Sequence, residues 1–109
     1  MRVTRILFVP EICDAVGCPD LGDEFRAPLF ADTPVLFVTG TLDCRTPAEN
    51  VGEVAPGLPN HQHLVVEDAG HGDLLLASGV QRALTQFVRG HNLESMHVTA
   101  DVPFQFDAT

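Results

Sequence analysis

Asp43 and His71 are the two residues whose types and positions could act together in catalysis. An imidazole that donates from one ring nitrogen to a carboxylate is held in one tautomer, and its other nitrogen can then accept a proton from a nucleophile. The carboxylate also stabilises the imidazolium that forms. The pair would therefore be a general base with its orienting acid, and it would need a nucleophile.

Each of these two residues follows a predicted buried strand. The apolar run 35–38 lies between Pro34 and Gly40, and a second run, 64–66, precedes the loop that contains His71. Continuous apolar runs with β-branched residues are typical of strands in a parallel sheet. Loops at the carboxyl ends of such strands build the sites of α/β proteins, so we expect both side chains at one edge of the sheet. An Asp43 carboxylate oxygen should then lie roughly 2.6 to 3.2 Å from a ring nitrogen of His71.

Two helices are predicted to accompany the strands. Thr46 and Glu49 form a capping-box pattern with Pro47 at the first helical position, so a short helix is expected to begin at Pro47. Ser78 is expected to cap a second helix that ends at Arg89 and Gly90. In the first helix, the residues expected to face the sheet are Ala48, Val51, Val54 and Ala55. In the second, the apolar residues that follow the helical pattern are Val80, Ala83, Leu84, Phe87 and Val88.

Glycines flank the candidate histidine. Gly70 and Gly72 are expected to adopt positive φ and so to project the His71 ring outward from its loop. The Leu74-Leu75-Leu76 run that follows is interpreted as core, or as surface that further strands would cover.

The two motifs together resemble a known family. Residues 34–47, PVLFVTGTLDCRTP, followed by residues 64–72, LVVEDAGHG, resemble the C-terminal region of α/β-hydrolases of the prolyl-aminopeptidase and tripeptidyl-aminopeptidase-like (TAP-like) group. In that family a G-x-x-D turn carries the acid and a G-H pair carries the histidine, and Asp43 and His71 match these positions. The resemblance implies an α/β fold, of which this chain would hold the C-terminal β-α-β-α part of a parallel sheet, incomplete.

The resemblance also implies a function. It points to a serine hydrolase, either a peptidase of the aminopeptidase type or an esterase, in which Asp43 and His71 belong to a Ser-His-Asp triad. The family's G-x-S-x-G nucleophile elbow has no counterpart here, because the serines are Ser78 in ASG and Ser95 in ESM. We therefore expect a fragment, a truncated product or a split protein that is inactive alone and acts on a peptide or ester substrate within the full enzyme. No metal or organic cofactor is expected.

Plainer interpretations exist for each candidate. Asp43 could be a turn or helix-cap aspartate, and His71 a simple loop histidine. Cys44 adjoins the acid but has no basic partner in the sequence, so it is interpreted as structural. His61 and His63 form an H-x-H pair, which is a weak indication of a metal site without a further ligand at fixed spacing.

The alternative function comes from a different class of protein. A noncatalytic α/β interaction module would dock on another chain through its open sheet edge, where we also expect self-association, with Val35, Phe37 and Val65 exposed. An in-frame nucleophile elbow in the DNA upstream of Met1 would favour the hydrolase.

Composition and charge exclude other classes. The 109 residues are 45% hydrophobic and 19% charged, as in a globular chain. A net charge of -9 opposes binding to nucleic acid, and no apolar run suits a membrane span or a signal peptide. Three cysteines, Cys13, Cys18 and Cys44, form no C-x-x-C pair, and a Cys13–Cys18 disulfide stays open, as does the compartment.

Three regions are expected along the chain. Residues 1–33 are interpreted as an irregular connecting segment with one helical turn near residues 21–25, and residues 34–90 as the hydrolase segment. Residues 91–109 form a C-terminal tail in which residues 96–99 and 103–106 are strand-like.

Overall fold

In the described part of the chain, three parallel strands form a sheet in the order β1-β2-β3. The structure, a computed structural model, describes residues 10–101, so the strand-like pattern at residues 103–106 lies outside the described part. The strands are β1 Val35–Gly40, β2 His61–Glu67 and β3 His97–Thr99. An open, all-parallel sheet with helices between its strands confirms the expected α/β class.

The strand register brings the carboxyl ends of β1 and β2 together. Pairing runs from Val35 opposite His61 to Gly40 opposite Val66. Strand β3 pairs with the other side of β2, and it adds a strand that the predicted β-α-β-α unit lacks, at the site of the strand-like pattern in the tail. Because β1 and β2 are parallel, the loops that carry Asp43 and His71 leave the sheet at the same edge.

Within residues 10–101, four α-helices and three 3₁₀ turns accompany the strands. The helices are α1 Pro10–Val16, α2 Gly22–Arg26, α3 Val51–Val54 and α4 Ser78–Val88, and the turns are Ala48–Asn50, Ala55–Gly57 and Leu74–Leu76. Residues 10–26, expected to be irregular apart from one helical turn, thus contain two short helices. Glu11 in the first turn favours α1, because a carboxylate there interacts with unpaired amide groups. None of the helices in residues 10–101 could span a membrane.

The hydrophobic core lies between β2 and α4. Leu64 and Val66 of β2 and Val80 of α4 are fully buried, and each such side chain contributes roughly 1.5 to 3 kcal/mol by leaving water. The core also contains Ala69, Leu74, Ala77, Ala83 and Leu93. Side chains alternate along a strand, so His61, His63 and Val65 lie on the opposite face of β2.

The apolar stripes of the helices are only partly buried. Val80 and Ala83 are buried as predicted, and α4 ends at Arg89 and Gly90 as predicted, with Gly90 at φ 76°. Val88 is 83% exposed, however, and Val54 of α3 is also exposed. Helical periodicity identified the apolar side of each helix, but no described residue covers these two positions. The prediction that Val54 faces the sheet is therefore wrong.

Neither predicted helix cap forms in the expected way. The turn Ala48–Asn50 follows Pro47 without a side-chain cap, so the Thr46 and Glu49 capping box is absent. The N-cap of α4 is Ala77, and the Ser78 N–H donates to Asp101 Oδ2 at 2.5 Å while the Ser78 hydroxyl donates to Asp101 Oδ1 at 3.2 Å. These bonds lower the pKa of Asp101. A carboxylate from the chain after β3 therefore caps α4, since an anion is the stronger acceptor.

Candidate active site

Backbone hydrogen bonds join the loop after β1 to β2 and to the loop that follows it. The Thr41 N–H donates to Val66 O at 3.0 Å, and the Leu42 N–H donates to Ala69 O at 3.0 Å. The Asp43 N–H closes its own turn by donating to Gly40 O at 3.1 Å. Main-chain contacts therefore place Asp43 beside the segment that leads to His71.

Gly40 makes this close approach feasible. A Cβ atom at position 40 would lie 2.3 Å from the carbonyl oxygen of Ala69 and 2.9 Å from its carbonyl carbon. Backbone atoms cannot yield as a flexible side chain can, so a larger residue would separate the two loops. The glycine that begins the G-x-x-D motif is thus required by packing between the loops.

The histidine loop is shaped by two aspartates. Asp68 has a φ of 61°, and its N–H donates to Thr41 Oγ1 at 2.9 Å. The Gly70 N–H donates to Asp73 Oδ1 at 2.8 Å. Gly70 and Gly72 do not adopt positive φ, so that prediction is wrong. Asp68, whose residue type tolerates the left-handed region, turns the chain at the end of β2 instead.

The carboxylate of Asp43 is buried and accepts from both loops. Oδ1 accepts the N–H of Arg45 at 2.8 Å and that of Thr46 at 2.9 Å. Oδ2 accepts the Thr46 hydroxyl at 2.7 Å and lies 2.9 Å from His71 Nδ1. The side chain is 1% exposed. The hydrogen bonds from the N–H groups of Arg45 and Thr46 form the turn that the plainer interpretation of Asp43 anticipated. The same carboxylate also contacts His71.

These bonds hold Asp43 in its ionised form. The Thr46 N–H is the largest cause that places the pKa of Asp43 well below its usual range. Bonds from His71, from the Thr46 hydroxyl and from the Arg45 N–H act in the same direction, against the opposing effect of burial. An ionised carboxylate therefore faces the histidine at neutral pH.

His71 is held at one nitrogen and open at the other. The ionised carboxylate can only accept, so the 2.9 Å contact requires the proton on Nδ1. The distance lies in the range expected from the sequence. Nε2 has no hydrogen-bond partner among residues 10–101, and the side chain is 48% exposed. In the neutral imidazole, Nε2 therefore carries the free lone pair on the exposed side of the ring.

Thr46 is the residue that sequence reasoning missed. It was interpreted as part of a helix cap, yet its hydroxyl donates to Asp43 and lies 3.2 Å from His71 Nδ1. Spacing alone offered a signal, because an aspartate often accepts hydrogen bonds from residues two and three positions later.

In the described part of the chain, no cysteine thiol and no serine hydroxyl is hydrogen-bonded to Asp43 or His71. The Cys44 thiol points to Leu42 O at 3.8 Å. Ser78 donates to Asp101, and the Ser95 hydroxyl donates to His97 O at 2.6 Å. Within residues 10–101, the hydroxyl that is hydrogen-bonded to His71 is that of Thr46, on the Nδ1 side of the ring.

The H-x-H pair makes other contacts. His61 Nδ1 is 2.7 Å from Leu58 O, and His63 Nε2 is 2.8 Å from Thr39 Oγ1. Burial, followed by the charges of His61 and His97, lowers the pKa of His63. Among the described residues, no group of three His, Cys, Asp or Glu side chains could hold a metal ion.

Comparisons with known proteins agree with this arrangement at the level of family. A family of α/β-hydrolases described as TAP-like protein matches residues 5–99, which is most of the chain. Searches of curated proteins and of solved structures gave no significant match. The parallel sheet, the order of the two motifs and the extent of this match lead to one conclusion: the chain belongs to the TAP-like protein family of α/β-hydrolases.

Proposed function

We propose that this chain supplies the general base, His71, and its orienting acid, Asp43, to a serine hydrolase that acts on peptides or esters. The observation that carries the proposal is the 2.9 Å contact between His71 Nδ1 and an Asp43 carboxylate that is buried and ionised. It leaves Nε2 free at the edge of the sheet where α/β enzymes build their sites.

The chemistry would be acyl transfer to water. A serine hydroxyl from outside the described residues attacks the substrate carbonyl, and its proton passes to Nε2 of His71. Asp43 stabilises the imidazolium that forms. The imidazolium then donates this proton to the leaving group, and a water molecule activated by Nε2 releases the acyl group in the same way.

A chimera tests this proposal. Residues 34–101 would replace the equivalent segment of an active TAP-like hydrolase, and turnover of p-nitrophenyl esters and aminoacyl anilides would be measured. We expect turnover that His71→Ala abolishes and that Asp43→Asn lowers on the order of 10⁴-fold, because the acid fixes the tautomer. His61→Ala is the matched control, since His61 lies in β2 away from Asp43. Equal turnover with and without His71 would refute the proposal.

The noncatalytic interaction module remains the second candidate. It is favoured by the exposure of large apolar side chains, Leu42 beside Asp43 and Leu75 and Leu76 in the turn that contacts β1. Strand β1 also lies at an edge of the described sheet, whereas Val35, Phe37 and Val65 are half-buried and not fully exposed as expected. A chimera that folds but shows no His71-dependent turnover, together with Leu76→Glu reducing self-association of the chain, would favour this candidate.

A further inference from the structure

A threonine hydroxyl lies between the acid and the histidine. Thr46 Oγ1 is 2.7 Å from Asp43 Oδ2 and 3.2 Å from His71 Nδ1. A hydroxyl has one proton to donate, and the charged, nearer oxygen of Asp43 is the stronger acceptor. The lone pairs of Oγ1 are then left for the Nδ1–H of His71.

The same residue holds both oxygens of the carboxylate. The Thr46 N–H donates to Asp43 Oδ1 at 2.9 Å, while its hydroxyl donates to Oδ2. Rotation of the carboxylate about its Cβ–Cγ bond would break both bonds. Thr46 therefore fixes the plane of the carboxylate as well as its position.

We propose that Thr46 is a positioning residue whose hydroxyl holds the Asp43 carboxylate turned toward His71, so that the imidazole presents Nε2 as the base. Its importance for catalysis rests on the proposed function, but the contacts belong to this chain alone. Two other roles fit the geometry less well. Thr46 does not cap the following turn, and as a nucleophile it would face the protonated nitrogen of His71.

The test is a titration of the full chain by NMR. Thr46→Val replaces the hydroxyl by a methyl group of similar size, and Thr46→Ser retains the hydroxyl. Thr85→Val is the matched control, because the Thr85 hydroxyl donates within α4 to Gln81 O. The signal followed is the ¹³Cγ resonance of Asp43, assigned by its absence in Asp43→Asn.

We expect the acid dissociation constant of Asp43 to fall about tenfold in Thr46→Val, which corresponds to the loss of one hydrogen bond to a charged group. Thr46→Ser and Thr85→Val should titrate like the unsubstituted chain. If Thr46 only stabilised the fold, the unfolding midpoint would move but the titration of the folded chain would not. An unchanged titration in folded Thr46→Val would overturn the inference.

A second measurement covers the case in which Thr46→Val does not fold. In the unsubstituted chain, the Thr46 hydroxyl proton should exchange slowly with water and give a cross-peak to the His71 ring. Exchange as fast as that of an exposed threonine hydroxyl would contradict the inference. Both measurements use the isolated chain, whereas the proposed function is tested in the chimera. The role of Thr46 can therefore be refuted while the chimera keeps His71-dependent turnover, so the two proposals are distinguishable.

Discussion

The close contact between Gly40 and Ala69 predicts a large effect of a single methyl group. In Gly40→Ala the new Cβ would lie 2.3 Å from the Ala69 carbonyl oxygen, whereas ordinary contacts begin at 3.4 Å, so the loops must separate by about 1 Å. Overpacking of this kind costs roughly 1 to 3 kcal/mol. Each of the two backbone bonds from Thr41 and Leu42 contributes about 1 kcal/mol more if it breaks.

The expected loss in the free energy of unfolding is therefore about 1 kcal/mol if both bonds survive and up to about 5 kcal/mol if both break, against roughly 5 to 15 kcal/mol for a typical domain. The same shift would take the Asp43 and His71 contact from 2.9 Å beyond hydrogen-bonding distance. Denaturant unfolding followed by circular dichroism measures the first effect, and the low-field Nδ1 proton signal of His71 measures the second.

Gly52→Ala is the control for this experiment. Gly52 lies in α3, and a Cβ there would meet no atom within 4 Å. Alanine in place of a helical glycine should leave stability unchanged or raise it by up to about 1 kcal/mol. If Gly40→Ala unfolds at the same denaturant concentration as the unsubstituted chain, the packing argument for Gly40 is refuted.

Three further predictions follow from other contacts. A carboxyl whose pKa is lowered by folding stabilises the fold above its ordinary value of about 3.9, and this stabilisation is lost as pH falls through the lower folded value. As the pH falls from about 5 to about 2, the free energy of unfolding, measured in urea, should therefore decrease less for Asp43→Asn than for the unsubstituted chain. An equal decrease in both chains would contradict this prediction. The Cys18 N–H donates to Cys13 O at 2.8 Å, and the side chains of these two exposed cysteines are hydrogen-bonded to each other. Mild oxidation followed by alkylation should therefore lower the number of alkylated thiols, counted by intact mass, from three to one, whereas Cys18→Ala should show no such loss. The isolated chain should hydrolyse p-nitrophenyl esters no faster than His71→Ala, because within residues 10–101 the hydroxyls of Ser78 and Ser95 are bonded away from His71. Robust His71-dependent turnover would contradict this expectation.

The strands and the longest helix could be predicted because the spacing of their apolar residues indicates which side chains are buried. The run that starts at Val35 forms β1, although the strand continues to Gly40, and the stripe that contains Val80 and Ala83 packs on β2. The meeting of Asp43 and His71 followed from one rule about parallel strands. Their role in catalysis stays a proposal.

Hydrogen-bond partners could not be predicted in the same way. From the sequence, the Thr46 hydroxyl could either cap the following helix or donate to the nearby carboxylate of Asp43. It donates to Asp43, because a charged oxygen is the stronger acceptor. Asp101 caps α4 from 23 residues away, which no local pattern could show. The pattern also could not show that Val88 lacks a covering surface.

The backbone conformation of Asp68 limits which sequences can carry this loop. At a φ of 61°, most L-residues lose roughly 1 to 2 kcal/mol, whereas asparagine, aspartate and glycine are tolerated. The Asp68 N–H donates to Thr41 Oγ1 and not to the candidate pair, yet a β-branched residue at position 68 would misdirect the chain three residues before the histidine. The narrowest choice of amino acids in the loop, beyond the candidate pair itself, is thus expected at a residue whose side chain takes no part in the proposed reaction. Variation during evolution would then be restricted to a few polar or small residues at position 68, while the exposed Gly72 beside His71 could accept side chains more freely, since a Cβ there meets no atom within 4 Å.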